Sequence, residues 1–270
     1  MASRDWRVDD SSGIPGYVGA YRGRVQVTDV TVLVSTWDGW STLWEPFSWA
    51  WQHWWPDCPW PVWFITNRKI APMGESIQTG DSTNWSTMTR IALEAVDSDV
   101  VLFIHEDCWL VHPVNTPVIA DFANIALRDE ADHIRLQRAP QASQGGAGVY
   151  GPDPRLYVLN PSFPYYLCLQ ASFWRRDVFL ALLRPGEHCW HFETNGSDRG
   201  RRAGVRALCI DAATNPAEWD DQAHLCYINA VCRGRWRLRW ENGNWVQGGD
   251  VTTTPVPDCL WAMIGREGSA

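Results

Sequence analysis

The residues of this chain best suited to chemistry stand at the ends of its most apolar runs. VVLFI at 100–104 stops abruptly at His105, Glu106 and Asp107. VTVLVS at 30–35 leads into Thr36 and Asp38, and VWFIT at 62–66 leads into Asn67. Short runs that are β-branched and apolar throughout read as strands buried on both faces. Packing explains a carboxylate directly after such a strand poorly, because charge at a sheet end needs a partner or an ion. A divalent cation on a diphosphate would be one such partner. Mg²⁺ and Mn²⁺ take hard oxygen ligands, few of them from protein when phosphates supply the rest. The plainer alternative leaves Glu106 and Asp107 capping a turn or pairing with an arginine.

Two other motifs carry less. His188, Cys189, His191 and Glu193 are zinc-type ligands, but they crowd into one short segment with no second half elsewhere. GAGVYG at 146–151 matches G-x-G-x-x-G by letter. No strand precedes it and Pro152 follows it, so the dinucleotide context fails.

The elements that must position these residues alternate between strand and helix. Strands are expected at 30–35, 62–66, 100–104, 133–138, 165–172 and 205–210. Helices are expected at about 42–55, 86–96, 118–128, 174–183 and 218–231. Residues 139–164 read as a loop, as does the stretch through Trp190 and Glu193, and RWRLRW reads as a terminal β-ribbon. The alternation predicts an α/β fold with a mixed, mostly parallel sheet and helices on both faces. Ligands of such sheets bind outside the carboxyl ends of the strands. The expected division is an extension at 1–29, one domain at 30–240 and a tail at 241–270 packed on it.

Composition bounds the function. The 270 residues can bury a proper core, and 45% hydrophobic with 20% charged residues is ordinary for a globular chain. There are 19 Trp, and Lys69 is the single lysine among 23 basic residues. Both biases fit a GC-rich coding sequence, while aromatic faces also suit sugars and bases. The net charge of −8 argues against a protein coated by nucleic acid. No apolar run approaches the roughly 20 residues of a membrane span, and the N-terminus lacks the apolar core of a leader. The eight cysteines show no C-x-x-C pair and are expected to be reduced thiols of a cytoplasmic protein.

Four segments, in order, resemble bacterial glycosyltransferases of the GT-A fold from polysaccharide-synthesis clusters. They are VTVLVSTWDGWSTLWEPFSWAWQHWWPDCPWPVWFITN, NWSTMTRIALEAVDSDVVLFIHEDCWL, LQASFWRRDVFLALLRPGEHCWHFETNGS and CYINAVCRGRW. The likeness spans about residues 30–236. It implies a single GT-A domain that takes a nucleotide-diphosphate sugar, UDP-linked by preference, and passes the sugar to an acceptor hydroxyl. Thr36, Asp38 and Asn67 would line the nucleotide pocket, with Trp85, Ser86 and Arg90 near the nucleotide or its phosphates. His105, Glu106 and Asp107 would occupy the family's DxD position, with Asp107 as the best ligand for Mn²⁺ or Mg²⁺. The family more often has an acid where His105 stands. Glu193 would be the general base, and Gln170 and Trp190 would lie against the donor sugar or the acceptor.

The acceptor reading divides. Residues 199–239 hold eight Arg against four acids, and Arg233, Arg235, Arg237 and Arg239 would share one face of a strand. That face is either simply solvated or a polyanion surface with Asp198 and Arg201 nearby. A glycan intermediate is the first acceptor class, and DNA carrying hydroxymethylated bases, as in a phage, is the second. A non-catalytic, Trp-rich sugar-binding protein is a third reading, which the strand-end carboxylates and Glu193 disfavour.

Overall fold

All six residues of β1, Val30–Ser35, are buried, as a strand covered on both faces requires. The computed structural model describes residues 29–110, 113–136 and 148–210, and the backbone of three short strands at 227–229, 239–241 and 244–246. After β1 come a 3-10 turn (Asp38–Leu43), α1 (Trp44–Trp54), β2 (Val62–Thr66), β3 (Glu75–Gln78), α2 (Trp85–Ala95), β4 (Val100–His105) and β5 (Cys108–Leu110). Next are α3 (Thr116–Leu127), β6 (His133–Arg135), β7 (Leu156–Val158), β8 (Ser172–Arg175) and α4 (Arg176–Leu182). A helical run follows: α5 (Cys189–His191), a π-turn (Phe192–Gly196) and α6 (Ser197–Ala203). The described chain ends with β9 (Ala207–Ile210), β10 (Tyr227–Asn229), β11 (Arg239–Glu241) and β12 (Asn244–Val246).

Eight strands form one sheet in the order β3-β2-β1-β4-β8-β6-β9-β7. The pairs β3–β2, β2–β1, β1–β4 and β6–β9 are parallel, and β4–β8, β8–β6 and β9–β7 are antiparallel. The fold is therefore α/β on a mixed, mostly parallel sheet, as the alternation predicts. Register matters for the site: Ser35 lies opposite Ile65 on one side and His105 on the other, so Thr36, Thr66 and Glu106 leave the sheet at one edge.

Side-chain alternation divides the core between the two faces. Val30, Val32 and Val34 join Phe47, Trp51, Phe122 and Ile134 under α1 and α3. Leu33, Val101 and Phe103 join Met88, Leu93, Phe179 and Phe192 under α2 and α4. Each such side chain stabilises the fold by about 1.5–3 kcal/mol relative to exposure. Local chemistry agrees with this packing. Asn84 caps α2 by accepting from the Thr87 N–H, and Asn115 caps α3 by accepting from Val118. Gly74 has φ +62°, and a Cβ there would stand 2.3 Å from the Val62 carbonyl oxygen.

Several expectations need correction. The apolar stretch 165–171 is not a strand; the strand begins at Ser172. Tyr166, Leu167 and Leu169 are buried in the core without a ladder, and the Leu167 N–H donates to Ser197 Oγ at 2.9 Å. The loop foreseen at 139–164 contains β7, and the loop foreseen around Glu193 is helical. The helix foreseen at 218–231 is β-strand at Tyr227–Asn229, paired antiparallel with β5. Of the terminal ribbon, Arg239–Glu241 pairs with Asn244–Val246, while Arg233, Arg235 and Arg237 lie outside the described residues. So do the extension before residue 29 and most of the tail. No helix among the described residues is long and apolar enough to cross a membrane.

Candidate active site

Two cavities open at the carboxyl edge of the parallel strands. The first, of about 450 Å³, is walled by Thr36 and Trp37 after β1, Trp85 at the start of α2, His105 and Glu106 at the end of β4, and His188 and Cys189. The second, of about 680 Å³, is walled by Arg135, Tyr165, Gln170, Trp190 and Glu193. Cys189 and Trp190 are chain neighbours, so α5 runs between the two.

The first wall is built from strand ends. Trp85 Nε1 donates to Ser35 Oγ at 3.3 Å, which ties α2 to β1. Trp44 Nε1 donates to Thr36 Oγ1 at 2.8 Å from inside the core. Glu106 is only 7% exposed. Burial first, and then the Asp107 charge, push its carboxyl well above the usual range. His105, packed edge-on to Phe103, is pushed down to about 4 by burial and is a neutral imidazole at pH 7. No lysine or arginine is among the residues walling this cavity.

Asp38 and Asn67 are tied to each other's loops. The Asp38 carboxylate accepts from the backbone N–H groups of Asn67 at 3.0 Å, Arg68 at 3.0 Å and Lys69 at 3.1 Å. Asn67 Oδ1 accepts from the Asp38 N–H at 3.1 Å, and its amide donates to the carbonyls of Gly80 and Ser82. The pair braces the loops after β1 and β2 and lies behind the cavity wall. Ser86 Oγ donates to Asn84 and accepts from the Glu187 N–H at 3.1 Å. Arg90 donates to the carbonyls of Leu180 and Leu183 and pairs with Glu94. Ser86 and Arg90 thus join α2 to the segment after α4, and neither walls the cavity.

In the second cavity, Glu193 accepts from the Leu169 N–H at 2.9 Å. Desolvation raises its pKa, against lowering contributions from that hydrogen bond and from Arg135. Cys189 is pushed up to about 12, chiefly by burial, with the charges of both Glu193 and Glu106 adding to the rise. It therefore lies within electrostatic reach of both carboxylates. Glu187 and Arg199 form a buried ion pair of two hydrogen bonds, and Arg199 also lies over the Phe192 ring. Asp198 and Arg201 pair with each other on α6 and wall neither cavity.

The structure brings together Thr36, Trp85, His105 and Glu106 in one cavity and Gln170, Trp190 and Glu193 in the next. Asp107 follows Glu106 in a turn, half-buried beside the Cys108 thiol. Arg135, Tyr165, His188 and Glu187 were missed. Arg135 and Tyr165 come from segments that read as ordinary strand. His188 stands out in the sequence only as a zinc-type ligand, and the described residues contain no group of three or more potential ligands that could hold a metal ion.

No family model matches the chain, and no curated protein does. Among solved structures it is similar to residues 1–349 of TarS from S. aureus, with 13% identity, a TM-score of 0.44, and 68% of this chain and 58% of that one covered. It is also similar to CMP:2-keto-3-deoxy-manno-octonic acid synthetase complexed with CTP, with 12% identity, a TM-score of 0.44, and coverage of 70% and 92%. A third is UDP-glucose pyrophosphorylase complexed with UDP-glucose, with 8% identity, a TM-score of 0.44, and coverage of 68% and 90%. Likeness at this level assigns neither activity nor residue roles.

Proposed function

We propose that this chain transfers a glycosyl group from a nucleoside-diphosphate sugar to an acceptor hydroxyl. The observation that carries the reading is the juxtaposition of the two cavities. One lies at the carboxyl edge of parallel strands, where nucleotides bind in open α/β sheets, and it is lined by indole rings suited to a base. The next presents a half-buried carboxylate whose proton affinity is raised toward that of a working base. The anomeric carbon would sit beside α5, whose Cys189 walls the first cavity and whose Trp190 walls the second.

In this reading the acceptor oxygen attacks the anomeric carbon as Glu193 takes its proton. The bond from that carbon to the diphosphate oxygen breaks, and its electron pair leaves with the diphosphate. The Leu169 N–H fixes one Glu193 oxygen, which keeps the carboxylate aimed. Trp85 and Thr36 would contact the nucleoside, with Trp37 beside them.

The reading includes a divalent cation shared with the diphosphate, since the described residues hold no group of three or more protein ligands that could keep an ion by themselves. Glu106 and Asp107 are adjacent, mutually repelling carboxylates, and no lysine or arginine walls the cavity to offset a diphosphate. Mg²⁺ and Mn²⁺ sites of this kind need only one or two protein carboxylates, with phosphates supplying other ligands. Asp107 and Glu106, with neutral His105 beside them, would hold the ion, and when bound it would offset charge on the leaving diphosphate.

The test is Glu193→Gln. UDP binding should persist while transfer from UDP-sugars falls by ~10²–10⁴-fold, the usual worth of a general base. A Gln variant with wild-type turnover would overturn the assignment of the base.

A further inference from the structure

Large apolar side chains that stay exposed in a chain with so full a core ask for an explanation. Among the described residues there are five, and two of them, Trp190 at 51% and Tyr165 at 53%, wall the second cavity. Tyr165 stands on unusual backbone, and Trp190 stands beside another such stretch. Tyr165 has φ +55°, a left-handed conformation that costs a non-glycine residue about 1–3 kcal/mol and persists only where surroundings impose it. Tyr166 and Leu167 impose it here, through the Tyr166 hydroxyl on the Val205 carbonyl and the Leu167 N–H on Ser197 Oγ. Trp190 lies in α5, which runs through His191 into the π-turn that carries Glu193, and π-turns concentrate at functional sites.

The same cavity carries planar polar groups: the Gln170 amide, the Glu193 carboxylate and the Arg135 guanidinium. Aromatic faces beside planar polar groups suit one class of small molecule particularly well. The C–H groups of a pyranose carry partial positive charge toward the negative faces of aromatic rings. Its neighbouring hydroxyls meanwhile match carboxylate, amide and guanidinium groups two at a time. The volume of about 680 Å³ lies within the roughly 300–1,000 Å³ of small-molecule sites and leaves room for more than one ring.

We infer that the second cavity is an acceptor subsite for a pyranose, stacked on Trp190 and Tyr165, with one ring hydroxyl directed to Glu193. The inference rests on the transfer reading above and names the acceptor class for it. A nucleic-acid acceptor would need a track of cations for its phosphates. Near this cavity the described arginines are already committed: Arg199 to Glu187, and Arg201 to Asp198. Arg135 lies within electrostatic reach of Glu193.

Saturation-transfer NMR on the full chain tests this with methyl β-D-glucopyranoside, methyl α-D-mannopyranoside and a DNA oligonucleotide containing hydroxymethylcytosine. UDP titrations run alongside on every variant. A pyranoside should receive saturation through its C–H protons. Trp190→Ala and Tyr165→Gly should each weaken that binding about tenfold, and Trp190→Phe should largely restore it. Glycine adopts φ +55° without strain, so Tyr165→Gly removes the ring while favouring the fold. UDP affinity should be the same in all variants. Equal pyranoside binding in the wild type, Trp190→Ala and Tyr165→Gly would overturn the inference, as would saturation of the oligonucleotide with neither pyranoside bound. If pyranoside binding follows the two rings while UDP fails to bind at all, the ring site stands and the nucleotide reading falls.

Discussion

The backbone N–H of Leu169 donates to Glu193 Oε1 at 2.9 Å, across 24 positions of chain. The bond joins the segment before β8 to the π-turn and holds the carboxylate in the cavity wall. It also explains why the carboxyl keeps part of its acidity, because hydrogen bonding to the charged form opposes the desolvation that dominates.

A pH dependence follows from that balance. The base works as carboxylate, and desolvation raises its pKa above the ordinary 4.5. The acid limb of kcat/KM should therefore lie above that of a water-exposed glutamate, with activity falling as pH drops through the raised value. Stability has the opposite sign. A carboxyl raised in the folded state stabilises fully below its unfolded value, and this contribution is lost as pH rises through the folded value. Glu193→Gln should accordingly raise Tm at pH 7 relative to the wild type and have little effect near pH 4. Thermal melts across a pH series read the stability change and initial rates across the same series read the activity limb, and a Gln variant less stable than the wild type at pH 7 would count against a desolvated carboxylate.

Asp38 is expected to act on stability before binding. Its carboxylate serves three backbone N–H groups, so Asp38→Ala should cost about 1–3 kcal/mol in chemical denaturation. Trp85→Ala, which opens the cavity wall itself, should weaken UDP more than Asp38→Ala does. Calorimetry on the two variants decides between bracing and contact, since the reverse order would restore Asp38 to the nucleotide.

The Glu187–Arg199 pair is expected to hold α6 and the π-turn against α2. Its side chains are 8% and 19% exposed, so removing one leaves a buried charge. Arg199→Met should lower stability by about 3 kcal/mol, or roughly 6–12 °C in Tm. An unchanged melt would show that the pair contributes nothing net.

What could be seen in the sequence follows from how each element earns its stability. β1, β2 and β4 are buried on both faces, so VTVLVS, VWFIT and VVLFI announce themselves, and with them Thr36 and Glu106 at the carboxyl edge. β3, β5 and β7 are three or four residues long, and β3 and β7 lie at the sheet's two edges, too short for periodicity to show. The run YYLCLQAS resembles a strand because its apolar residues from Tyr166 onward are buried, yet they pack as irregular chain. The helical run through Glu193 was hidden by Asn195, Gly196 and Gly200. Gly200 packs closely on Leu167, whose Cδ1 would lie 2.6 Å from a Cβ there. Asp38, Asn67 and Ser86 stand near strand and helix ends, and Arg90 stands in the middle of α2. Most of their partners are backbone groups, which side-chain types alone do not reveal.

The central claim is that the cavity between β1, β4 and α2 takes a nucleoside diphosphate with a divalent cation. Calorimetric titration of UDP into the full chain, with and without Mn²⁺, tests it most directly, on the wild type, Trp85→Ala and Asp107→Ala. The account predicts saturable UDP binding that Mn²⁺ tightens, that Trp85→Ala weakens in either condition, and that loses its Mn²⁺ dependence in Asp107→Ala. At a hundred times Kd, UDP should also add about 2.7 kcal/mol to the stability of the fold. No heat of binding with UDP, with or without Mn²⁺, would contradict it.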